Sequence, residues 1–133
     1  SLPDDAATDS FDMLPVMLGQ QEESKSVRPH LLTQSFRGEF QIRKGPWKYL
    51  DHQGSGGNNY DVKNMQKWAI PDKAPDAPGQ LYNLDDDPGE ANNLYFTEEA
   101  KRKELQALLA KLKSSGRSAP KNRTPFRKLS GAR

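Results

Sequence analysis

The strongest constraint on the fold is a short segment in which apolar and polar residues alternate on both sides of a turn. Phe40 and Ile42 alternate with polar neighbours, a Lys-Gly-Pro turn follows, and residues 47–50 return along the hairpin. Alternation with a period of two is typical of a strand that is buried on one face only. The segment therefore predicts a β-hairpin in which Trp47 and Tyr49 share one face.

An amphipathic helix is predicted over residues 97–113, with Thr97 as its capping residue. Its apolar stripe is formed by Leu105, Leu108, Leu109 and Leu112. The stripe could bind a partner helix, but it more simply covers the predicted sheet, which has nothing else to bury against. With further strands expected near 31–36 and 81–84, the fold class is α+β: a small antiparallel β-sheet of about four strands covered by one C-terminal α-helix.

Composition limits the chain to one small core. Only 33% of the 133 residues are hydrophobic, the mean hydropathy is −0.96, and two domains are not expected. No apolar run approaches the length of a membrane span. The chain has no Cys and only two His, which excludes disulfides and thiolate metal sites and argues against an all-His metal site.

Charge is distributed unevenly along the chain. Residues 111–133 carry a net charge of +8 and no acid, whereas residues 1–110 carry −6. The segment from 114 onward is rich in Ser, Pro, Lys and Arg, which predicts a disordered basic tail. That tail is either a solvated extension or an electrostatic arm for an anionic polymer.

The residues give little sign of a self-contained active site. The Gly-Ser-Gly-Gly run at 54–57 suggests a phosphate cradle, but no Lys-Ser/Thr pair and no helix follow it, so a flexible turn is the simpler interpretation. The acids at 85–87 lack the spacing of a calcium loop and are typical of turn and cap chemistry. His52 follows a strand beside the glycine run, which makes it a candidate for lining a cleft.

Three segments, taken in order, carry a family resemblance. They are DSFDMLPVMLG at 9–19, FQIRKGPWKYL at 40–50 and QLYNLDDDPGEANNL at 80–94. Together with the helix that follows, they resemble the C-terminal subdomain of type I (formylglycine-dependent) sulfatases, especially bacterial arylsulfatase-like members. The Gly-Ser-Gly-Gly run is similar to a loop seen in many of those members.

The resemblance implies a division of the chain into three parts. Residues 1–27 would be the connector from a missing catalytic domain, 28–113 the sulfatase C-terminal subdomain, and 114–133 the disordered basic tail. A start at Ser rather than Met fits this expectation. The chain would be the C-terminal part of a sulfuric ester hydrolase, docked on the catalytic domain and helping to wall the substrate cleft.

Catalytic residues and metal ligands are not expected in this chain, which should be catalytically silent alone. The resemblance implies that calcium and the formylglycine lie in the missing N-terminal catalytic domain. The expected partners are that domain and a sulfated ester substrate, with neither a membrane nor nucleic acid. Family resemblance alone suggests a periplasmic or secreted protein.

Candidate site residues fall into two groups. The first group contains the candidates for the substrate cleft, which is expected to be walled by region 34–39 and the loop 51–68: Arg37, His52, Ser55 and Asn58. The second group contains the structural members of the matching motifs: Arg43, Trp47, Lys48, Tyr82, Asp87, Glu90 and Asn93. The polar members of this group are expected to brace the hairpin against the last turn. The alternative function is a stand-alone module that binds an anionic ligand or polysaccharide through its loops and basic tail.

Overall fold

The computed structural model describes residue 3 and residues 5–55 and 62–120. These residues form two compact units. One unit is Arg28–Lys111, and the other consists of the described residues up to Val27 and from Leu112 onward.

The larger unit contains the predicted four-stranded antiparallel sheet. Its strands are β1 (Leu31–Gln34), β2 (Phe40–Lys44), β3 (Trp47–Leu50) and β4 (Gln80–Asn83), in the order β1-β2-β3-β4. Ile42 lies opposite Tyr49, and Tyr49 lies opposite Leu81. The α+β fold class and the central hairpin are confirmed.

One face of the sheet packs against α2 (Glu99–Ser115). Gln106 donates a hydrogen bond to the Tyr49 hydroxyl at 3.0 Å, and Lys44 pairs with Glu104 at 2.6 Å. Lys101 lies 5.9 Å from the centroid of the Trp47 ring. Trp47 and Tyr49 therefore share the face that the helix covers, as the alternation predicts.

The core lies between this face and the helix. Its largest fully buried side chains are Tyr49, Ile42, Leu81, Leu105 and Leu109. Burying each aliphatic side chain contributes about 1.5–3 kcal/mol, so the hairpin, β4 and α2 are held together mainly by this layer.

The predicted Thr97 cap is wrong. The Thr97 hydroxyl donates to the Leu94 carbonyl at 3.3 Å rather than accepting from an amide of the first turn. The Glu98 amide also donates to the Leu94 carbonyl, at 3.0 Å. The helix therefore directly follows a turn in which the Leu94 carbonyl accepts hydrogen bonds, and the Thr97 hydroxyl has no N-cap role.

The outer edge of β4 is covered by the segment that follows it. The Leu81 amide donates to Asn93 Oδ1 at 3.1 Å, and the Leu94 amide donates to the Leu81 carbonyl at 2.8 Å. Asn93 Oδ1 also accepts from the Tyr95 amide at 3.1 Å. Asn93 thus satisfies backbone groups that an edge strand would otherwise expose.

The smaller unit joins the start and the end of the described chain. It contains the single helical turn α1 (Leu14–Met17). The Ser118 amide donates to the Asp9 carboxylate at 2.7 Å, and the Ala119 amide donates to the Thr8 carbonyl at 3.0 Å. Hydrogen bonds from the Ser118 side chain and from its amide lower the pKa of Asp9. Across the described residues, no helix is long and apolar enough to cross a bilayer.

Candidate functional site

The face of the sheet opposite α2 carries a groove of about 480 Å³. Lys48 lies opposite Tyr82, and Leu50 lies opposite Gln80. Because side chains alternate along a strand, these four project away from the helix. The groove floor is therefore built from β3 and β4, with Gln41 added from β2.

Four loops wall the groove. One is the turn between β1 and β2, which contributes Ser35. The others follow β3, precede β4 and follow β4, and they contribute His52, Gly54, Ser55, Trp68, Ile70, Pro71, Asp72 and 88–91. A concave surface with aromatic walls and a few polar groups is the usual form of a small-molecule site.

His52 lies in this wall with its ring largely buried. Its side chain is 8% exposed, and Nδ1 is 3.0 Å from the Gln53 carbonyl oxygen. A carbonyl oxygen can only accept, so this contact requires the proton on Nδ1. Glu39 Oε2, 3.8 Å from the same nitrogen, favours that tautomer. In this tautomer Nε2 is the hydrogen-bond acceptor of the ring.

A network of amides and hydroxyls fixes the loop that carries His52. Gln80 Nε2 donates to the His52 carbonyl at 3.1 Å and to the Gly54 carbonyl at 2.7 Å. The Tyr82 hydroxyl donates to Gln80 Oε1 at 2.7 Å. Burial raises the pKa of Tyr82 to about 12, so its hydroxyl remains a donor. The network ties the loop after β3 to β4.

An ion pair crosses the groove between β3 and the loop after β4. Lys48 Nζ lies 2.7 Å from Glu90 Oε1, and both side chains are largely shielded from solvent. Glu90 has a φ of 55°, in the left-handed region that costs energy for a residue other than glycine. The strained backbone persists because the neighbouring turn holds it in place.

Asp87 organises that turn. Its carboxylate accepts from the Ala91 amide at 3.1 Å and from the Asn92 amide at 2.7 Å. These two backbone hydrogen bonds lower the pKa of Asp87. The carboxylate therefore sets the path of the chain on which Glu90 meets Lys48.

The structure separates the four predicted cleft residues. His52 and Ser55 both line the groove. Arg37 lies in the turn between β1 and β2, where it is exposed and does not itself line the groove, although Ser35 in the same turn does. Asn58 lies outside the described residues.

The predicted structural residues make mostly local or cross-strand contacts. Arg43 donates through Nε to the Gly45 carbonyl at 3.0 Å, so this bond stays within the hairpin. Trp47 lies on the helix side and Tyr82 on the groove side of the sheet. The segment after β4 is linked to β3 by the Lys48–Glu90 pair and to β4 by Asn93. Asp87 holds the turn within that segment.

Two groove residues were not singled out from the sequence as site candidates. Trp68 and Ile70 line the groove although they are 64% and 57% exposed. Their segment shows no strand or helix period, and Trp68 ends a 3-10 turn at Gln66–Trp68. The available signal was a pair of large apolar side chains within a proline-containing loop.

The described side chains do not assemble a metal centre. No group of three or more His, Cys, Asp or Glu in the described ranges could hold a metal ion. The donor set of these residues thus does not fit calcium. The groove offers hydrogen bonding, an ion pair and an aromatic surface, which are groups for binding a ligand.

Comparison with known proteins links this architecture to one enzyme class. No model of a known protein family matches the chain. Over 113 residues it is 32% identical to an N-acetylgalactosamine-6-O-sulfatase of Bacteroides thetaiotaomicron, in a match that covers 85% of this chain and 20% of that protein.

A solved structure gives the same result. It is a sulfatase from work on the metabolism of multiple glycosaminoglycans by Bacteroides thetaiotaomicron, with a TM-score of 0.63 and 30% identity. The match covers 86% of this chain and 22% of that one, so the chain spans about a fifth of the length of each relative. The resemblance of this chain to the C-terminal region of the sulfatases is therefore confirmed.

Proposed function

We propose that this chain docks on an N-terminal sulfatase catalytic domain and forms one wall of its substrate cleft. The observation that carries the proposal is the groove on the face of the sheet opposite α2, where His52 and Ser55 come together. A sulfatase C-terminal region with a preformed concave surface has a direct use in holding part of the substrate.

Sulfate ester hydrolysis itself is assigned to the catalytic domain. That domain would supply the formylglycine nucleophile and the calcium ion. This chain would contribute affinity and substrate choice, because its groove offers binding groups and its described residues do not form a metal site.

The substrate proposed is a sulfated amino sugar within a larger saccharide. The curated relative is named as an N-acetylgalactosamine-6-O-sulfatase, and the groove, at about 480 Å³, has the size of a small-ligand site.

The docking partner is proposed from the exposed apolar side chains of the predicted connector. Met13, Val16, Met17 and Leu18 are all more than 40% exposed around the single turn of α1. Consecutive exposed apolar residues in a short segment are typical of a protein interface. The catalytic domain of the same polypeptide is their proposed occupant.

The test uses the full-length protein that carries this chain. We expect His52→Ala to lower kcat/KM for a tetrasaccharide containing N-acetylgalactosamine 6-sulfate by about tenfold, and to leave kcat/KM for 4-nitrophenyl sulfate within about twofold. Arg37→Ala is the matched control, because Arg37 is exposed and lies outside the groove. Equal substrate preference in the parent and His52→Ala would refute the cleft-wall role.

The alternative is a stand-alone module that binds an anionic ligand or a polysaccharide through its loops and basic tail. The tail beyond residue 120 lies outside the described residues, and an anionic ligand gains no support from the groove. Its one lysine, Lys48, is already paired with Glu90. Asp72 adds a second carboxylate to the lining, so the described part of the groove has no cation left over for an anionic ligand.

A further inference from the structure

We infer that the groove binds the uncharged part of a saccharide, with one sugar ring stacked on Trp68 and a hydroxyl or acetamido N–H donated to His52 Nε2, and that it does not bind the sulfate group. The location of this subsite in a substrate cleft rests on the proposed function. The chemistry of the subsite rests on the groove alone.

The first argument is the exposed indole. Trp68 is 64% exposed at the groove wall, although an indole is among the most costly side chains to leave in water. Lys67 Nζ lies 5.0 Å from the centroid of the Trp68 ring, a cation–π contact that steadies the indole. The apolar C–H face of a pyranose ring fits such a surface.

The second argument is the charge of the lining. The charged side chains in the described lining are Lys48, Asp72 and Glu90, which sum to a negative value when His52 is neutral. Lys67 lies beside the Trp68 ring, but within the described lining the one lysine is already paired with Glu90. A sulfate group would therefore gain no cation from the lining, whereas neutral hydroxyl and amide groups need none.

The third argument is the single direction of the His52 hydrogen bond. Nδ1 must carry the proton because its partner, at 3.0 Å, is the Gln53 carbonyl oxygen. Nε2 therefore accepts from a ligand donor while the ring is neutral. Sugar hydroxyls and acetamido N–H groups are donors, and an ionised sulfate ester has none.

The test compares sulfated and desulfated forms of one saccharide. A tetrasaccharide containing N-acetylgalactosamine 6-sulfate and its chemically desulfated counterpart are titrated calorimetrically into the full-length protein. Trp68→Ala should weaken binding of the desulfated form about tenfold or more, with the melting temperature unchanged. Phe36→Ala is the matched control, because Phe36 is fully exposed at the β1–β2 turn and outside the groove.

Two outcomes would overturn the inference. In one, the parent and Trp68→Ala bind the desulfated tetrasaccharide equally well, or neither binds it. In the other, Trp68→Ala lowers the melting temperature and the activity on 4-nitrophenyl sulfate together, which would make Trp68 part of the docking surface. Trp68-dependent saccharide binding by a protein with no sulfatase activity would support the subsite and refute the proposed function, so the two can fail separately.

Discussion

Replacing Asn93 by Ala should destabilise the larger unit strongly, because one side-chain oxygen serves two backbone donors. Oδ1 accepts from the amides of Leu81 and Tyr95, both at 3.1 Å. Leu81 is fully buried and Tyr95 is 5% exposed. A buried donor left without a partner costs about 1–3 kcal/mol, so losing both should lower the free energy of unfolding by about 2–6 kcal/mol.

Urea unfolding of the full chain, followed by circular dichroism and extrapolated to water, measures this loss. Asn92→Ala is the matched control. Its side chain is exposed and hydrogen-bonds the side chains of Lys73 and Asp87, so its free energy of unfolding should stay within about 1 kcal/mol of the parent. An Asn93→Ala variant as stable as Asn92→Ala would refute the assignment of Asn93 as the cover for the edge of β4.

Three further predictions concern packing, pH and the hairpin. Gly79→Ala would place a Cβ 2.7 Å from the Leu50 carbonyl oxygen and should lower the free energy of unfolding by about 1–3 kcal/mol. Gly89→Ala is the control, because a Cβ there would meet open space. Equal urea midpoints for the two variants would contradict this prediction. Since the folded-state pKa of Asp87 is depressed, its carboxylate stabilises the fold above about pH 4 and loses that effect as pH falls through the folded-state pKa. The difference in urea midpoint between the parent and Asp87→Asn should therefore shrink at low pH. A difference that stays constant with pH would refute this role of Asp87. Arg43→Ala removes one exposed hydrogen bond in the hairpin and should lower the free energy of unfolding by up to about 1 kcal/mol, with kcat/KM of the full-length protein unchanged. A melting temperature equal to the parent's would count against this prediction.

Much of the sheet and the covering helix could be predicted because their residues have a clear period. The alternation around Phe40 and Tyr49 placed the hairpin, and the leucine stripe placed α2. The first predicted strand ended too late, since the chain leaves β1 at Gln34 and turns before β2. Local patterns predict that a strand exists better than they predict where it ends.

The site was only partly predictable, because it depends on contacts between distant segments. His52 could be suspected from its position after a strand, and the structure places it in the groove wall. Trp68 lies in a loop without a period, so nothing local linked it to β3 and β4. The strained φ of Glu90 also had no signal in the sequence, since it results from the turn that Asp87 holds and from the ion pair to Lys48.

The central claim is that this groove forms part of a sulfatase substrate cleft. A crystal structure of the full-length protein with a bound tetrasaccharide containing N-acetylgalactosamine 6-sulfate tests it most directly. The account predicts a sugar ring against Trp68, a sugar donor on His52 Nε2, and the sulfate ester outside the groove, in the catalytic domain. A saccharide bound in that domain while the groove faces bulk solvent, or is filled by the domain itself, would contradict the account.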